Sequence, residues 1–122
     1  MQDSTQQEVP DTEKREKLEK FINECEATYS AKFDEKTAAL PLEQKFDVAC
    51  SLHLKAITEW LADKEKSLAK TLLILASLRK VEALWNGNKE LQENTKSVVT
   101  YYQTLVASNA VAGDFLEALG IK

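Results

Sequence analysis

From Ser67 to Val106, apolar residues return every three or four positions, and one sharp break, Asn86-Gly87-Asn88, interrupts them. Before the break the series is Leu68, Leu72, Leu75, Leu78, Val81, Leu84 and Trp85; after it, Leu91, Thr95, Val98, Tyr102 and Leu105. A period near 3.6 puts each series on one face of an α-helix. Gly87 suits the left-handed position that closes a helix, and Asn88 can accept free backbone N–H groups of the next. The spacing therefore predicts two helices folded stripe to stripe as a hairpin. Tyr101 and Tyr102 are adjacent and cannot share a face, so Tyr102 is expected in the core and Tyr101 in solvent. Leu78→Asp is expected to unfold the chain, because it would bury an unpaired charge.

The flanks add further helices. Residues 1–10 are polar, end in Pro10 and are expected as a disordered tail. Asp11 or Thr12 can cap an acidic helix over residues 11–32, whose narrow seam is Leu18, Phe21, Ile22, Cys25 and Tyr29. That seam must lie on its own bundle or on a partner, since such a helix is not stable alone. Residues 33–41 read as a linker, with Pro41 suited to the start of the following helix. That helix carries Phe46, Cys50, His53, Ile57 and Trp60, with Ala49, Leu52, Ala56 and Leu61 widening the stripe. Asp63-Lys64-Glu65-Lys66 forms a charged corner capped by Ser67. Beyond a break at Ala107-Ser108-Asn109, Val111, Phe115, Leu116 and Leu119 mark a short last helix weakened by Gly113 and stopped by Gly120. The expectation is an all-α fold: a compact bundle of four main helices plus a short C-terminal helix. Residues 11–122 form one domain, with 42–122 its core bundle.

The totals narrow the function. With 122 residues there is room for one domain, and 43% hydrophobic and 30% charged residues suit a globular helical chain. The net charge of −4 lies wholly in residues 1–45, which hold eleven acidic and seven basic side chains. No basic stripe is present to neutralise phosphates, so nucleic acid is not the expected partner. No run approaches the ~20 apolar residues of a membrane span, and the polar start is no signal peptide. Cys25 and Cys50, without Cys-x-x-Cys or clustered histidines, read as reduced structural thiols rather than zinc ligands. An intracellular, soluble protein without cofactor or metal is expected.

No template for catalysis is met: no Gly-x-Ser-x-Gly, phosphate-cradling glycine loop, His-Glu-x-x-His or calcium loop. His53, the one histidine, falls on the buried stripe and reads as a core histidine with a ring nitrogen satisfied by a neighbour. Trp60, Trp85 and Phe115 could frame a pocket, but aromatics at helical spacing fit a core better. The chain is not read as an enzyme.

Leu72 to Leu84, a Leu-x-x-Leu-x-x-Leu-x-x-Val-x-x-Leu series, is followed by Leu91-Gln92-Glu93-Asn94-Thr95 and Val98-Val99-Thr100. This stretch of about thirty residues resembles the integrase-binding domain, a relative of the transcription elongation factor S-II N-terminal domain. A second register of the same family is also open, in which Asn88-Lys89-Glu90-Leu91 and Tyr102-Gln103-x-Leu105-Val106 resemble the last helix of the S-II type. The resemblance implies a bundle of four or five helices that captures short peptides of transcription or chromatin factors. Under the first register the capturing loops would fall near Asp63–Ser67 and Ala107–Asn109. Where that family has apolar and aromatic loop residues, this chain has Ala107-Ser108-Asn109.

Two readings follow. One is a non-catalytic protein–protein interaction module, a peptide-binding adaptor of transcription or chromatin complexes under the resemblance, with Asp63, Glu65 and Asn109 at its loops. The other is a small structural subunit of a hetero-oligomeric helical complex, lending Leu18, Phe21, Ile22, Tyr29 and Phe33 to a partner; a homo-oligomer uses the same seam.

Overall fold

The computed structural model describes residues 2–118 of the chain, and Leu119 and Gly120 of the expected last helix lie outside them. Six helices follow in order: α1 (Gln2–Lys36), α2 (Leu42–Ala62), α3 (Leu68–Gly87), α4 (Lys89–Glu93), α5 (Thr95–Ala110) and α6 (Ala112–Ala118). Among the described residues the fold is all-α, with four long helices and two short ones.

α1 is longer than expected at both ends. Residues 2–10, expected as a tail, continue the helix through Pro10, which removes one backbone bond among Gln and Glu residues that favour helix. At the other end the helix runs past Lys32 to Lys36, so the linker shrinks to a turn before Pro41. Phe33, assigned to the linker and to a partner, is instead a core residue with Phe46, Ala49, Cys50, Val81 and Leu91. Thr37 is also buried, and its hydroxyl donates to the Phe33 carbonyl at 2.8 Å, closing the helix end.

α3 is the shared wall of the bundle. Its Trp60-facing end carries Thr71, whose hydroxyl accepts the Trp60 indole N–H at 3.0 Å, and Ser77 lies 2.7 Å from His53. α2 and α3 are therefore antiparallel. On the other side Ile22 of α1 meets Leu72, while Lys80 bonds Asp34 at 2.6 Å, so α1 runs parallel to α3. α5 lies along α2, with Tyr101 near Phe46 and Ser108 at His53. The expected hairpin is thus redistributed: α3 buries its stripes on α2 and α1 and meets α5 only briefly.

The second arm of that hairpin is also broken. Asn94 ends α4 and caps α5, its carboxamide oxygen accepting from Lys96 and Ser97 N–H at 2.9 and 3.3 Å. Its Nδ2 donates to Glu43, tying this joint to the start of α2. Asn88, expected to cap the second helix, makes no side-chain cap there; its Nδ2 donates back to the Leu84 carbonyl at 2.9 Å. The break foreseen at Ala107-Ser108-Asn109 is absent because helix α5 continues to Ala110.

Candidate functional site

Two regions have the composition of a site, one buried and polar, the other open and apolar. The buried one centres on His53, which has no solvent exposure. Its Nδ1 lies 2.7 Å from Ser77 Oγ and its Nε2 2.6 Å from Ser108 Oγ, so one imidazole joins α2, α3 and α5. Each serine also stands 2.9 Å from a backbone oxygen of its own helix, that of Ile74 or Thr104. A neutral ring has one donor and one acceptor, so one serine accepts while the other turns its O–H to the bare nitrogen. Burial holds the ring pKa down to about 4; the hydrogen-bonding contribution of the Ile74 backbone opposes this weakly. Nearby, burial pushes the Cys50 thiol up. The cluster ties three helices together through one buried ring. Both ring nitrogens are engaged, where the sequence suggested one. Among the described residues no group of three or more His, Cys, Asp or Glu side chains could hold a metal ion.

The open region is a groove of about 570 Å³ between α1 and α3. From α1 it is lined by Phe21, Cys25, Thr28 and Tyr29, with Glu24 and Lys32 beside them; from α3 by Ala69, Leu72, Leu73 and Ala76. These positions recur at three- and four-residue steps, as one face of each helix requires. The small Ala69 and Ala76 leave the gap that bulkier residues would fill. Phe21 is 48% exposed and Leu73 38%, so apolar surface faces water along its edge. The Tyr29 hydroxyl is buried without a hydrogen-bond partner, and burial raises its pKa. Tyr29 and Leu73 also border a smaller cavity whose α2 side is lined by Leu52 and Ala56 with the charged Lys55 and Glu59.

Beneath the groove α1 is clamped by apolar burial and by two ion pairs. Ile22 and Phe33 are buried; Leu18, Cys25 and Tyr29 are partly so. Arg79 bonds Glu26 at 2.9 Å, and Lys80 reaches Asp34 at 2.6 Å and Ser30 at 3.1 Å. Of the five seam residues offered for a partner, Ile22 and Phe33 are therefore taken by the bundle itself. Phe21 remains exposed, and the half-buried Leu18 and Tyr29 are shared between the bundle and the surface, Tyr29 as part of the groove lining. The wider α2 stripe is corrected too, since Leu52 and Leu61 are exposed.

The loop candidates are divided. The Asp63 carboxylate accepts from Glu65 N–H at 3.1 Å and Ser67 N–H at 2.9 Å, and these bonds hold it below the usual carboxylate range. Lys66, with φ 51°, donates to the Trp60 and Leu61 carbonyls at 2.9 and 3.1 Å and stands 4.6 Å over the Trp60 ring. It neutralises the C-terminal end of α2, which has no basic residue in its last turn. The corner is thus a capping structure, with Glu65 exposed on it. Asn109 is exposed on helix α5 rather than on a loop.

Trp60, Trp85 and Phe115 do not frame one pocket. Trp60 and Phe115 share an apolar cluster, while Trp85 stacks on Tyr101 at 4.2 Å with Phe46 beside both. The tyrosine expectation is reversed: Tyr101 is packed and Tyr102 is 60% exposed. The sequence did not identify the groove as a site, because its signal is the small Ala69 and Ala76 opposite Phe21, visible only once α1 and α3 are known to run side by side. No family model, curated protein or solved structure matches the chain.

Proposed function

We propose that this chain is a non-catalytic protein–protein interaction module that receives a short apolar peptide in the α1–α3 groove. The observation that carries the reading is the groove itself: lined mainly by apolar side chains of α1 and α3 and open to solvent. Its lining on α1 spans Phe21 to Lys32, about 16 Å of helix at 1.5 Å per residue. An amphipathic helix of about three turns fits that length, with an apolar ridge against Ala69 and Ala76. Glu24 and Lys32 stand toward opposite ends and favour a basic and an acidic flank on the peptide. The integrase-binding resemblance makes transcription or chromatin factors the first partners to search, though capture would use the groove rather than loops. Two free thiols and no helix, among the described residues, able to cross a membrane are consistent with an intracellular setting.

The test is selection of displayed helical peptides on the full chain, followed by calorimetry with the selected peptides. Phe21→Lys and Leu73→Asp should each weaken binding at least about tenfold, equivalent to ~1.4 kcal/mol, with little change in melting temperature. Peptides that bind both variants as they bind the parent would defeat the groove reading.

The structural-subunit reading retains one observation. Side chains 13–17 of α1, all charged, are exposed and so present a charged surface to another protein.

A further inference from the structure

Helix α5 turns its apolar side away from the bundle. Ser97, Tyr101, Thr104 and Ser108 face inward, whereas Val99, Tyr102 and Val106 are 49%, 60% and 69% exposed. At 100° per residue these three lie within a narrow sector opposite the buried face, with exposed Thr95 and Ala110 extending the same line. The steps of three and four residues make a continuous seam.

We infer that this face of α5 is a self-association surface, pairing antiparallel with α5 of a second copy of the chain. Charge supports a copy as the occupant. The chain is acidic overall, yet α5 holds no carboxylate and a single charged residue, Lys96, near its N-terminus. Two such faces can meet without opposing carboxylates, and an antiparallel arrangement separates the two lysines to opposite ends. Sequence spacing supports the direction. With a two-fold axis between Tyr102 and Gln103, Val99 of one copy opposes Val106 of the other, and Thr95 opposes Ala110. The seam is therefore its own complement, as a two-fold interface requires. Tyr102 is braced for the contact by Tyr101, whose ring lies 6.0 Å away edge-on and is itself stacked on Trp85.

The area sets the strength. A stable interface buries about 800 Å² per partner, and a stripe of three large side chains supplies less. A weak dimer is expected, with a dissociation constant on the order of 10⁻⁴ M.

Sedimentation velocity across a concentration series of the full chain is the experiment. The parent should shift from monomer toward dimer, and Val99→Glu and Val106→Lys should each weaken dimerisation at least about tenfold. Both positions are exposed, and circular dichroism checks that the fold is kept. The double variant Val99→Glu/Val106→Lys should recover dimerisation, since each glutamate then faces a lysine of the other copy. Val99→Glu/Val106→Glu should not recover. A parallel pairing would oppose like charges in the mixed double variant, so failure of that rescue overturns the inference. So does a parent that stays monomeric at ~1 mM, about ten times the expected dissociation constant. Phe21→Lys leaves the α5 dimer intact, which separates this surface from the groove; open-ended association abolished by Phe21→Lys would instead seat α5 in a neighbour's groove and overturn the inference.

Discussion

The α1–α3 and α2–α5 pairs are both roughly parallel helix pairs, yet they are built by opposite rules. α1 meets α3 through Ile22, Leu72 and neighbouring apolar side chains, and leaves an apolar groove open beside the contact. α5 meets α2 through Tyr101, Ala107 and a row of buried hydroxyls, and turns Val99 and Val106 to solvent. The polar face can be buried because its hydroxyls largely satisfy themselves within the helix. Thr104 donates to the Thr100 carbonyl at 2.8 Å, and Ser108 lies 2.9 Å from the Thr104 carbonyl. Such back-bonding removes most of the cost of hiding a hydroxyl, and the small side chains let the two backbones approach. The comparison teaches that apolar periodicity marks a face wanting cover, but does not say which neighbour covers it.

The largest expected effect tests where the common core lies. Val81 is fully buried in the cluster with Phe33, Phe46 and Leu91, so Val81→Asp should cost on the order of 5 kcal/mol and abolish the thermal transition. Leu78, which the repeat placed in the core, is only partly buried, so the expected unfolding by Leu78→Asp is revised to a clearly smaller cost that leaves a folded protein at room temperature. Equal melts for the two variants would refute the placement of α3 between its neighbours.

Next is the polar tie. His53→Ala should cost ~3 kcal/mol, read by urea denaturation, because it opens a cavity and leaves Ser77 and Ser108 without the ring. The same residue sets a pH dependence. The folded pKa, about 4, lies below the ordinary 6.5, so the unfolded chain takes up the proton first. The contribution of His53 is complete above pH 6.5 and falls away as pH drops toward 4, by up to ~3 kcal/mol. A His53→Gln variant should lack that slope; an unchanged slope would assign it to carboxylates elsewhere.

A paired substitution on α5 sharpens the contrast between its faces. Ser108→Ala should cost ~1–2 kcal/mol, because the buried imidazole loses a hydrogen-bond partner. Val106→Ser, two residues away, should change monomer stability by less than ~0.5 kcal/mol in dilute solution. If the loss of the valine hurt more than the loss of the serine hydroxyl, α5 would be docked by its other face.

The smallest effect concerns α1. Glu26→Ala should cost no more than ~1 kcal/mol, since its partner Arg79 is about half exposed. Amide exchange should show the loss locally, as faster opening of α1 with α2 and α3 unchanged.

Taken alone, the sequence determined that the chain is helical, where α2 and α3 lie, and which face α2 buries. Phe46, Cys50, His53, Ile57 and Trp60 sit where their spacing put them, because a long regular repeat leaves one way to hide them. It missed the cap at Asn94, read as part of a continuous repeat, since one asparagine is a weak signal until its carboxamide is seen on Lys96 and Ser97. It also misassigned Phe33, because Pro41 suggested a longer linker than the helix end at Thr37 requires. Which faces meet was decided by tertiary structure: α5 turns Ser97, Thr104 and Ser108 inward along α2 and touches α3 briefly, through the Tyr101–Trp85 stack and the Ser108–His53–Ser77 tie. The groove follows from the same arrangement, as two small alanines become a gap only when Phe21 and Tyr29 stand across from them.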